Sequence, residues 1–300
     1  VDREVAIKVI DPKLSSNREV VKRFLREARL SSRLERPSIV NVYDFGQTED
    51  GILYIVMELL RGHTLAKELE ARRAFPLERT VHIGIQLCDA LDAAHKQGII
   101  HRDLKPANVV ILDDPPGRDL VKVLDFGLAK SLVSDAMSKV THTDAMLGTP
   151  LYMSPEQIEG HPSDQRTDLY SLGCMMHEML SGKPPFTDTT INRVLSKHLN
   201  EPAAALPSHV PQSLADVIAR MMAKQPDARQ QTAAEVRSAL LLELGQTTML
   251  GTRLIPERPS VPPAFAVSNP TSSPSIGTSA VAPRGRRAAM PREQELAQEP

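Results

Sequence analysis

Eight consecutive residues near the middle of the chain carry side chains that suit phosphoryl transfer. Such a transfer needs little covalent help from a protein; it needs an oriented hydroxyl, metal-held phosphates and neutralised charge. Asp103 can accept or orient a hydroxyl proton, Lys105 can neutralise the moving phosphoryl group, and Asn108 can hold a magnesium ion. The sequence therefore predicts a phosphoryl-transfer loop. The full run is His101-Arg102-Asp103-Leu104-Lys105-Pro106-Ala107-Asn108.

A second candidate metal ligand follows a short apolar run. Asp125 opens an Asp-Phe-Gly triplet directly behind Val-Lys-Val-Leu. Magnesium prefers one or two carboxylates together with phosphate oxygens. An isolated triplet of this kind would more often be a simple turn, but its place at the end of a strand after Asn108 predicts a magnesium ligand.

The beginning of the chain supplies a cation and an acid. Residues 5–8 alternate as a strand, so Ala6 and Lys8 share one face, the first fit for adenine and the second for phosphates. Glu27 lies beside the inward face of its helix, where an acid requires a partner. We predict that this partner is Lys8; the alternative is a surface pair with Arg23.

The elements around these residues follow from hydrophobic periodicity and turn signals. Early strands and one helix are followed by mainly helical segments, with two short strands flanking the region between Asn108 and Asp125. The predicted strands are Val5 to Ile10, a pair around Gly51 that ends with Ile52 to Leu59, Val109 to Leu112 and Val121 to Leu124. The predicted helices run from the capping-box signature Ser16-Asn17-Arg18-Glu19 to about Leu34, from about Leu77 to Gly98, around Leu169 to Leu180, and over 213–223 and 232–244.

Together these motifs resemble the eukaryotic-type protein kinase family, specifically its bacterial serine/threonine branch. The resemblance covers residues 1 to about 244. It implies an α+β, bilobal fold with a small, incomplete β-rich N-lobe and a larger helical C-lobe. It also implies transfer of the ATP γ-phosphoryl group to serine or threonine hydroxyls of proteins, with ATP and Mg²⁺ or Mn²⁺ as cofactors. Further motifs that carry it are Arg26-Glu27-Ala28, Ile55-Val56-Met57-Glu58 and the segment from Gly148-Thr149-Pro150 to Ser154-Pro155-Glu156.

The resemblance assigns nucleotide contacts by position. Met57 would be the gatekeeper beside the adenine pocket, and Glu58 to Leu60 would form the hinge whose backbone binds adenine. The predicted nucleotide and metal contacts are thus Ala6, Lys8, Met57, Glu58, Leu60, Asn108 and Asp125. Lys105 and Thr149 resemble serine/threonine rather than tyrosine kinases.

It also assigns supporting roles. Asp168 looks like the helix acid that braces the 101–108 loop, and Arg229 looks like the partner of Glu156. As isolated residues, Asp168 and Arg229 would more often be a helix N-terminal acid and a surface arginine. His101 would be a packed core residue beneath Phe126, without acid or base work.

A regulatory site is predicted beside the loop. Arg102 and Lys130 offer a basic pocket, and Thr141 or Thr143 could bring a phosphate into it. Phosphorylation of this segment by the protein itself implies association between two copies, besides ATP and serine- or threonine-bearing protein substrates as partners.

Composition limits the remaining function classes. The charges of the 36 basic and 37 acidic residues nearly cancel. The chain therefore has no overall positive charge that would attract nucleic acid or an anionic membrane. Cys88 and Cys174 read as reduced core thiols, so we expect a cytoplasmic location, or the cytoplasmic part of a membrane-anchored kinase. No apolar run approaches the roughly 20 residues that span a bilayer.

Composition also predicts the domain organisation. Residues 1–245 would form the catalytic domain, and residues 246–300, rich in Pro, Ser and Thr, a disordered linker or tail. In the family that the chain resembles, a glycine-rich loop precedes the strand that carries the equivalent of Lys8, but residues 1–7 contain no Gly. We therefore expect an N-terminally truncated domain that lacks its first two strands and the glycine-rich loop.

Three other functions compete with a protein kinase. The first is a pseudokinase or regulatory binding module, against which the intact Lys8, Asp103, Asn108 and Asp125 argue. The second is a small-molecule phosphotransferase of the kinase-like superfamily. The third is an interaction platform centred on the tail, whose weak basic cluster is Arg284, Arg286 and Arg287.

Overall fold

The computed structural model describes residues 3–10, 17–113, 119–126 and 150–253. It has a strand-rich part followed by a mainly helical part, which confirms the predicted α+β class. The strands are β1 Val5–Val9, β2 Val42–Gln47, β3 Leu53–Glu58, β4 Gly62–Thr64, β5 Val109–Leu112 and β6 Val121–Val123. The helices are α1 Arg18–Ser31, α2 Leu65–Arg72, α3 Leu77–His95, α4 Pro155–Ile158, α5 Gln165–Ser181, α6 Ile191–Asn200, α7 Gln212–Met221 and α8 Ala233–Arg253.

The strand-rich part is an antiparallel sheet of order β1-β3-β2 with α1 packed against it. The helix begins one residue later than the capping-box signature suggests, because the carboxamide oxygen of Asn17 accepts the N–H groups of Glu19 and Val20. Phe24 and Ala28 of α1 are fully buried in a small core with Leu53, Ile55 and Ile10.

One face of β1 is exposed and apolar. Within the described residues β1 is an edge strand, and the side chains of Ile7 and Val9 are 62% and 59% exposed. Ala6 and Lys8 alternate with them and belong to the opposite face. The strand therefore presents the residues predicted to meet the nucleotide on the face away from the exposed apolar one.

The helical part is built around α3 and α5, which bury most of their residues. Cys88 and Cys174 are free and buried there, and burial raises the pKa of both thiols, so they are unreactive core side chains. Helix α8 packs along α3 and continues to Arg253, past the domain boundary predicted at residue 245. Within the described part of the chain, no helix is both long and apolar enough to cross a membrane.

The second sheet positions the predicted chemistry. Strands β4, β5 and β6 are antiparallel in that order. The 101–108 loop enters β5 and Asp125 follows β6, so both carboxylate-bearing segments meet at one end of this β-hairpin. The two strands predicted on either side of the site are thereby confirmed.

Gly173 allows helices α5 and α7 to approach closely. A Cβ added there would lie 2.9 Å from the Met221 Cβ and the Met222 Cγ. Gly245, in α8, is exposed and has open space around it. The two glycines therefore differ in what a methyl group would meet.

We expect Gly173→Ala to lower the free energy of unfolding by about 1–3 kcal/mol, because the methyl group overpacks the α5–α7 contact. Gly245→Ala should raise it by roughly 0.5–1 kcal/mol, because alanine loses less conformational entropy in a helix. Urea unfolding of both variants measures the difference. Equal effects of the two substitutions would contradict the close approach at Gly173.

Candidate active site

The 101–108 loop brings three of the predicted residues together. Lys105 Nζ lies 2.8 Å from Asp103 Oδ2. Asn108 Nδ2 donates to the Asp103 backbone oxygen at 2.8 Å and to its Oδ2 at 3.2 Å. A single 3₁₀ turn, Pro106–Asn108, folds the amide back onto the aspartate. A carboxylate, an ammonium and an amide therefore converge from one short segment.

Asp168 holds this loop through its backbone. The carboxylate lies in the first turn of α5, is fully buried, and accepts the N–H groups of His101 and Arg102, each at 2.8 Å. Arg102 has a φ of 63°, a conformation that costs a non-glycine residue on the order of 1–3 kcal/mol. The charged acceptor offsets that cost, and the contact predicted for Asp168 is present.

His95 is a supporting residue that the sequence interpretation missed. Its Nε2 lies 2.8 Å from Asp168 Oδ2, and its side chain is buried at the end of α3. A signal was available, because His95 follows Leu91 by one helical turn on the buried face, where a polar ring requires a partner. Gln157 was also missed; its Nε2 donates to the Arg102 carbonyl at 2.9 Å.

The second carboxylate, Asp125, is tied to the loop. The Leu124 N–H donates to the Asn108 carbonyl at 2.9 Å, which places the two predicted metal ligands on adjacent backbone. The His101 Nε2–H donates to the Leu124 carbonyl at 2.8 Å, and its ring packs edge-on against Phe126 at 4.9 Å between centroids. His101 and Phe126 thus occupy the packed positions predicted for them.

Lys8 reaches this site but not by the predicted pair. Its Nζ lies 2.5 Å from Asp125 Oδ2. Asp125 has a φ of 55°, and at the end of β6 its carboxylate meets the inner face of β1. The predicted Lys8–Glu27 pair is therefore replaced by Lys8–Asp125 in this structure.

Glu27 lies instead on the wall of a cavity of about 290 Å³. The cavity is bounded by α1 and by the residues before Asp103. Its other charged lining residues are Arg23, Arg26 and Arg102. The Nε of Arg102 is buried and has no hydrogen-bond partner among the described residues. The cavity is thus a basic pocket, and α1 contributes two arginines to it that sequence reasoning did not assign.

The predicted adenine contacts lie at the paired ends of β1 and β3. Ala6 is in register with Met57, and Glu58 is the last residue of β3. Met57 also lines a small cavity with Asp125 and Phe126. Leu60 follows β3 and is half-buried. Ala6 and Met57 thus belong to the same strand pair as Lys8.

The donor set fits magnesium bound together with phosphate. Within the described residues no cluster of three or more His, Cys, Asp or Glu side chains could hold a metal alone. Magnesium takes one or two carboxylates and completes its shell with phosphate oxygens and water. Asp125 supplies a carboxylate, and because Asn108 Nδ2 is the donor to Asp103, its Oδ1 remains the acceptor atom.

Glu156 and Arg229 form the predicted pair. The guanidinium is fully buried and bidentate, with Nη1–Oε1 at 2.9 Å and Nη2–Oε2 at 2.8 Å. The Thr167 hydroxyl also donates to Glu156 Oε1 at 2.8 Å. Burial alone would raise the pKa of Glu156, but the hydrogen bonds and charge of Arg229 outweigh it, and the pKa lies below its ordinary value. Predicted roles for Lys130, Thr141, Thr143 and Thr149 fall outside the described residues.

Comparisons with known proteins agree with this geometry. The family model described as protein kinase domain matches residues 1–240. A probable serine/threonine-protein kinase of Clostridium perfringens is 42% identical over 239 residues, 79% of this chain and 34% of that protein. Serine/threonine-protein kinase PknB of Mycobacterium tuberculosis is 40% identical over 245 residues, 80% of this chain and 38% of that protein. The chain thus spans about a third of the length of these curated relatives.

Among solved structures, a mutant form of the kinase domain of Mycobacterium tuberculosis PknI is similar to this chain, with a TM-score of 0.61 and 27% identity. The similarity covers 80% of this chain and 85% of that one. It supports the bilobal arrangement of a strand-rich part and a helical part.

We expect Arg229→Met to lower the free energy of unfolding at neutral pH by about 3–5 kcal/mol, because it leaves a buried carboxylate without its cation. The folded-state pKa of Glu156 is lowered, so the contribution of the pair is fully present above the unfolded carboxyl pKa and is lost as the pH falls through the folded one. The difference in the free energy of unfolding between wild type and Arg229→Met should therefore become smaller as the pH falls.

Lys96→Met is the matched control, since it removes the exposed Lys96–Asp92 pair and should cost less than about 1 kcal/mol. Urea unfolding at a series of pH values measures both variants. If the stability difference between wild type and Arg229→Met stays constant into strong acid, the stabilisation by Arg229 does not depend on the ionisation of Glu156.

Proposed function

We propose, because the chain belongs to the protein kinase family, that it transfers the γ-phosphoryl group of ATP to serine or threonine hydroxyls of protein substrates. The observation that carries this proposal is the convergence of Asp103, Lys105, Asn108 and Asp125 at the joined ends of the 101–108 loop and β6. The relatives' names support serine and threonine as acceptors.

Asp103 is the proposed catalytic base. Its carboxylate is held from two sides, by Lys105 Nζ and Asn108 Nδ2, which fixes the direction in which it can accept a hydroxyl proton. Lys105 then has a second task, since its ammonium can neutralise the transferring phosphoryl group beside the same carboxylate. Positioning of this kind accounts for much of the rate in phosphoryl transfer.

Asp125 and Asn108 are the proposed magnesium ligands, and Lys8 is the proposed phosphate cation. Bound magnesium would neutralise charge on the nucleotide phosphates. Ala6, Met57 and the backbone from Glu58 to Leu60 would bind adenine, as the family resemblance implies. The paired ends of β1 and β3 support this assignment.

The basic cavity is the proposed regulatory site. Arg102, Arg23 and Arg26 line it together, and the buried Nε of Arg102 offers a donor to a phosphate. We propose that Lys130 joins them and that phosphorylation at Thr141 or Thr143 activates the protein. Phosphorylation between two copies would then be a route to activation.

The organisation and location of the protein complete the proposal. We propose that the catalytic domain, predicted for residues 1–245, extends to the end of α8 at Arg253, and that the residues after it form a linker or tail. A cytoplasmic location suits an ATP-dependent enzyme whose two cysteines are free thiols.

We expect Asp103→Asn, Asp125→Ala and Lys8→Met to reduce transfer from radiolabelled ATP to a generic protein substrate by on the order of a hundredfold or more, because each removes a separate charge from the site. The assay uses the full-length protein, and Asp216→Asn, an exposed position on α7, is the control. Near-normal turnover in Asp103→Asn would refute the assignment.

We expect mass spectrometry of the active protein to find phosphate on Thr141 or Thr143, since a phosphate of about −1.5 to −2 charge can form one to three charge-assisted hydrogen bonds with arginines. Replacing both threonines by valine should lower activity, as should Arg102→Met. Fully active protein that carries no phosphate between residues 129 and 147 would show that this regulation is wrong.

A further inference from the structure

An ion pair joins the two sheets of the fold beside the candidate site. Lys122 Nζ on β6 lies 2.5 Å from Glu58 Oε1 on β3. The two residues are far apart in sequence and belong to different sheets. The adenine contact proposed for Glu58 is made by its backbone, so its carboxylate is not needed for that contact.

The pair is part of a polar network around the segment before β2. Lys122 Nζ also donates to the Ile39 carbonyl at 3.2 Å. Glu58 Oε1 accepts the Asn41 N–H at 2.7 Å, while the Glu58 N–H donates to the Asn41 carbonyl at 3.0 Å. Each charge therefore meets both its opposite charge and the backbone of residues 39–41.

Burial makes the geometry of this pair specific. The side chains of Lys122 and Glu58 are only 12% and 17% exposed. Opposite charges screened from water interact more strongly than surface pairs, and either charge alone would be costly to leave there. The distance between the end of β3 and the middle of β6 is thereby held by a strong directional contact.

Both ends of the pair lie next to proposed nucleotide contacts. Glu58 ends β3 and begins the segment whose backbone is proposed to bind adenine. Lys122 lies on β6, which ends just before Asp125, the proposed magnesium ligand. The pair thus links the place where the base would bind to the place where the phosphate-bound metal would bind.

Backbone hydrogen bonds attach β6 to residues 38–40 independently of the Glu58–Lys122 pair. The Val123 N–H donates to the Ser38 carbonyl at 2.8 Å, and the Val40 N–H donates to the Val123 carbonyl at 3.0 Å. These backbone hydrogen bonds attach β6 to the 38–40 segment whatever residue occupies position 122. The ion pair is therefore an addition that fixes β3 relative to β6.

We propose that Glu58 and Lys122 form a positioning pair that sets the spacing between the adenine-binding backbone and Asp125, and so determines the affinity for magnesium-bound ATP. The inference rests on the proposed function for the identity of the nucleotide. Neither side chain is assigned contact with the reacting atoms.

The test is a double-mutant cycle on the full-length protein with Glu58→Gln, Lys122→Met and the two combined. Titration with a non-hydrolysable ATP analogue and Mg²⁺ gives the dissociation constant, and steady-state assays give KM for ATP and kcat. Each single variant should raise the dissociation constant and KM by on the order of tenfold, equal to about 1.4 kcal/mol, with kcat changed by a smaller factor.

Removing the second partner should add little, because one positioning contact is lost in every case. Lys122→Arg should restore much of the affinity, since it keeps the charge. Lys96→Met, which removes an exposed pair elsewhere, should leave nucleotide affinity unchanged. Thermal unfolding of each variant separates lost affinity from lost structure.

Folded single variants with wild-type dissociation constant and KM would overturn the proposal, as would fully additive effects in the cycle. If a single variant fails to fold, Glu58→Gln combined with Lys122→Gln removes both charges while keeping polar groups, and wild-type nucleotide affinity in that protein would overturn it equally. A wild-type protein that binds the analogue but transfers no phosphate would refute the proposed function, while the binding titration still decides the role of the pair.

Discussion

The conformation of the 101–108 loop depends on the buried carboxylate of Asp168. It accepts two consecutive backbone N–H groups, those of His101 and Arg102, and contacts the ring of His95. A charged acceptor makes each such hydrogen bond worth about 1.5–3 kcal/mol, enough to offset the left-handed backbone of Arg102. The loop that carries Asp103 therefore takes its shape from a helix outside the loop.

Backbone hydrogen bonds connect the loop held by Asp168 to the other parts of the site. The Leu124 N–H is bonded to the Asn108 carbonyl, which sets Asp125 beside the loop. On the far side, the Ser31 hydroxyl donates to the Phe126 carbonyl at 2.9 Å, so α1 is attached to the same segment. The position of α1 and the position of the candidate metal ligands are consequently coupled.

Sequence reasoning succeeded where structure is local or where a motif is long. Alternation predicted β1, and short apolar runs predicted β5 and β6. The eight-residue run predicted which side chains would converge, because residues of one short loop lie close together. Sequence reasoning was less successful for contacts between elements that are distant in the chain. The partner of Lys8 depends on how α1 lies against the sheet, and the Glu58–Lys122 contact has no local signature. The buried face of α3 indicates that His95 needs a partner, but it does not indicate that the partner is Asp168.

The Lys8–Asp125 pair makes the ammonium group a competitor for any cation that approaches the carboxylate. A free divalent ion must displace Lys8 and leave that charge without an anion, which weakens its binding. A metal that arrives with a nucleotide brings a replacement anion for Lys8 in the same event. For the proposed kinase we therefore expect metal and nucleotide to bind as one complex, and the metal to bind only weakly by itself.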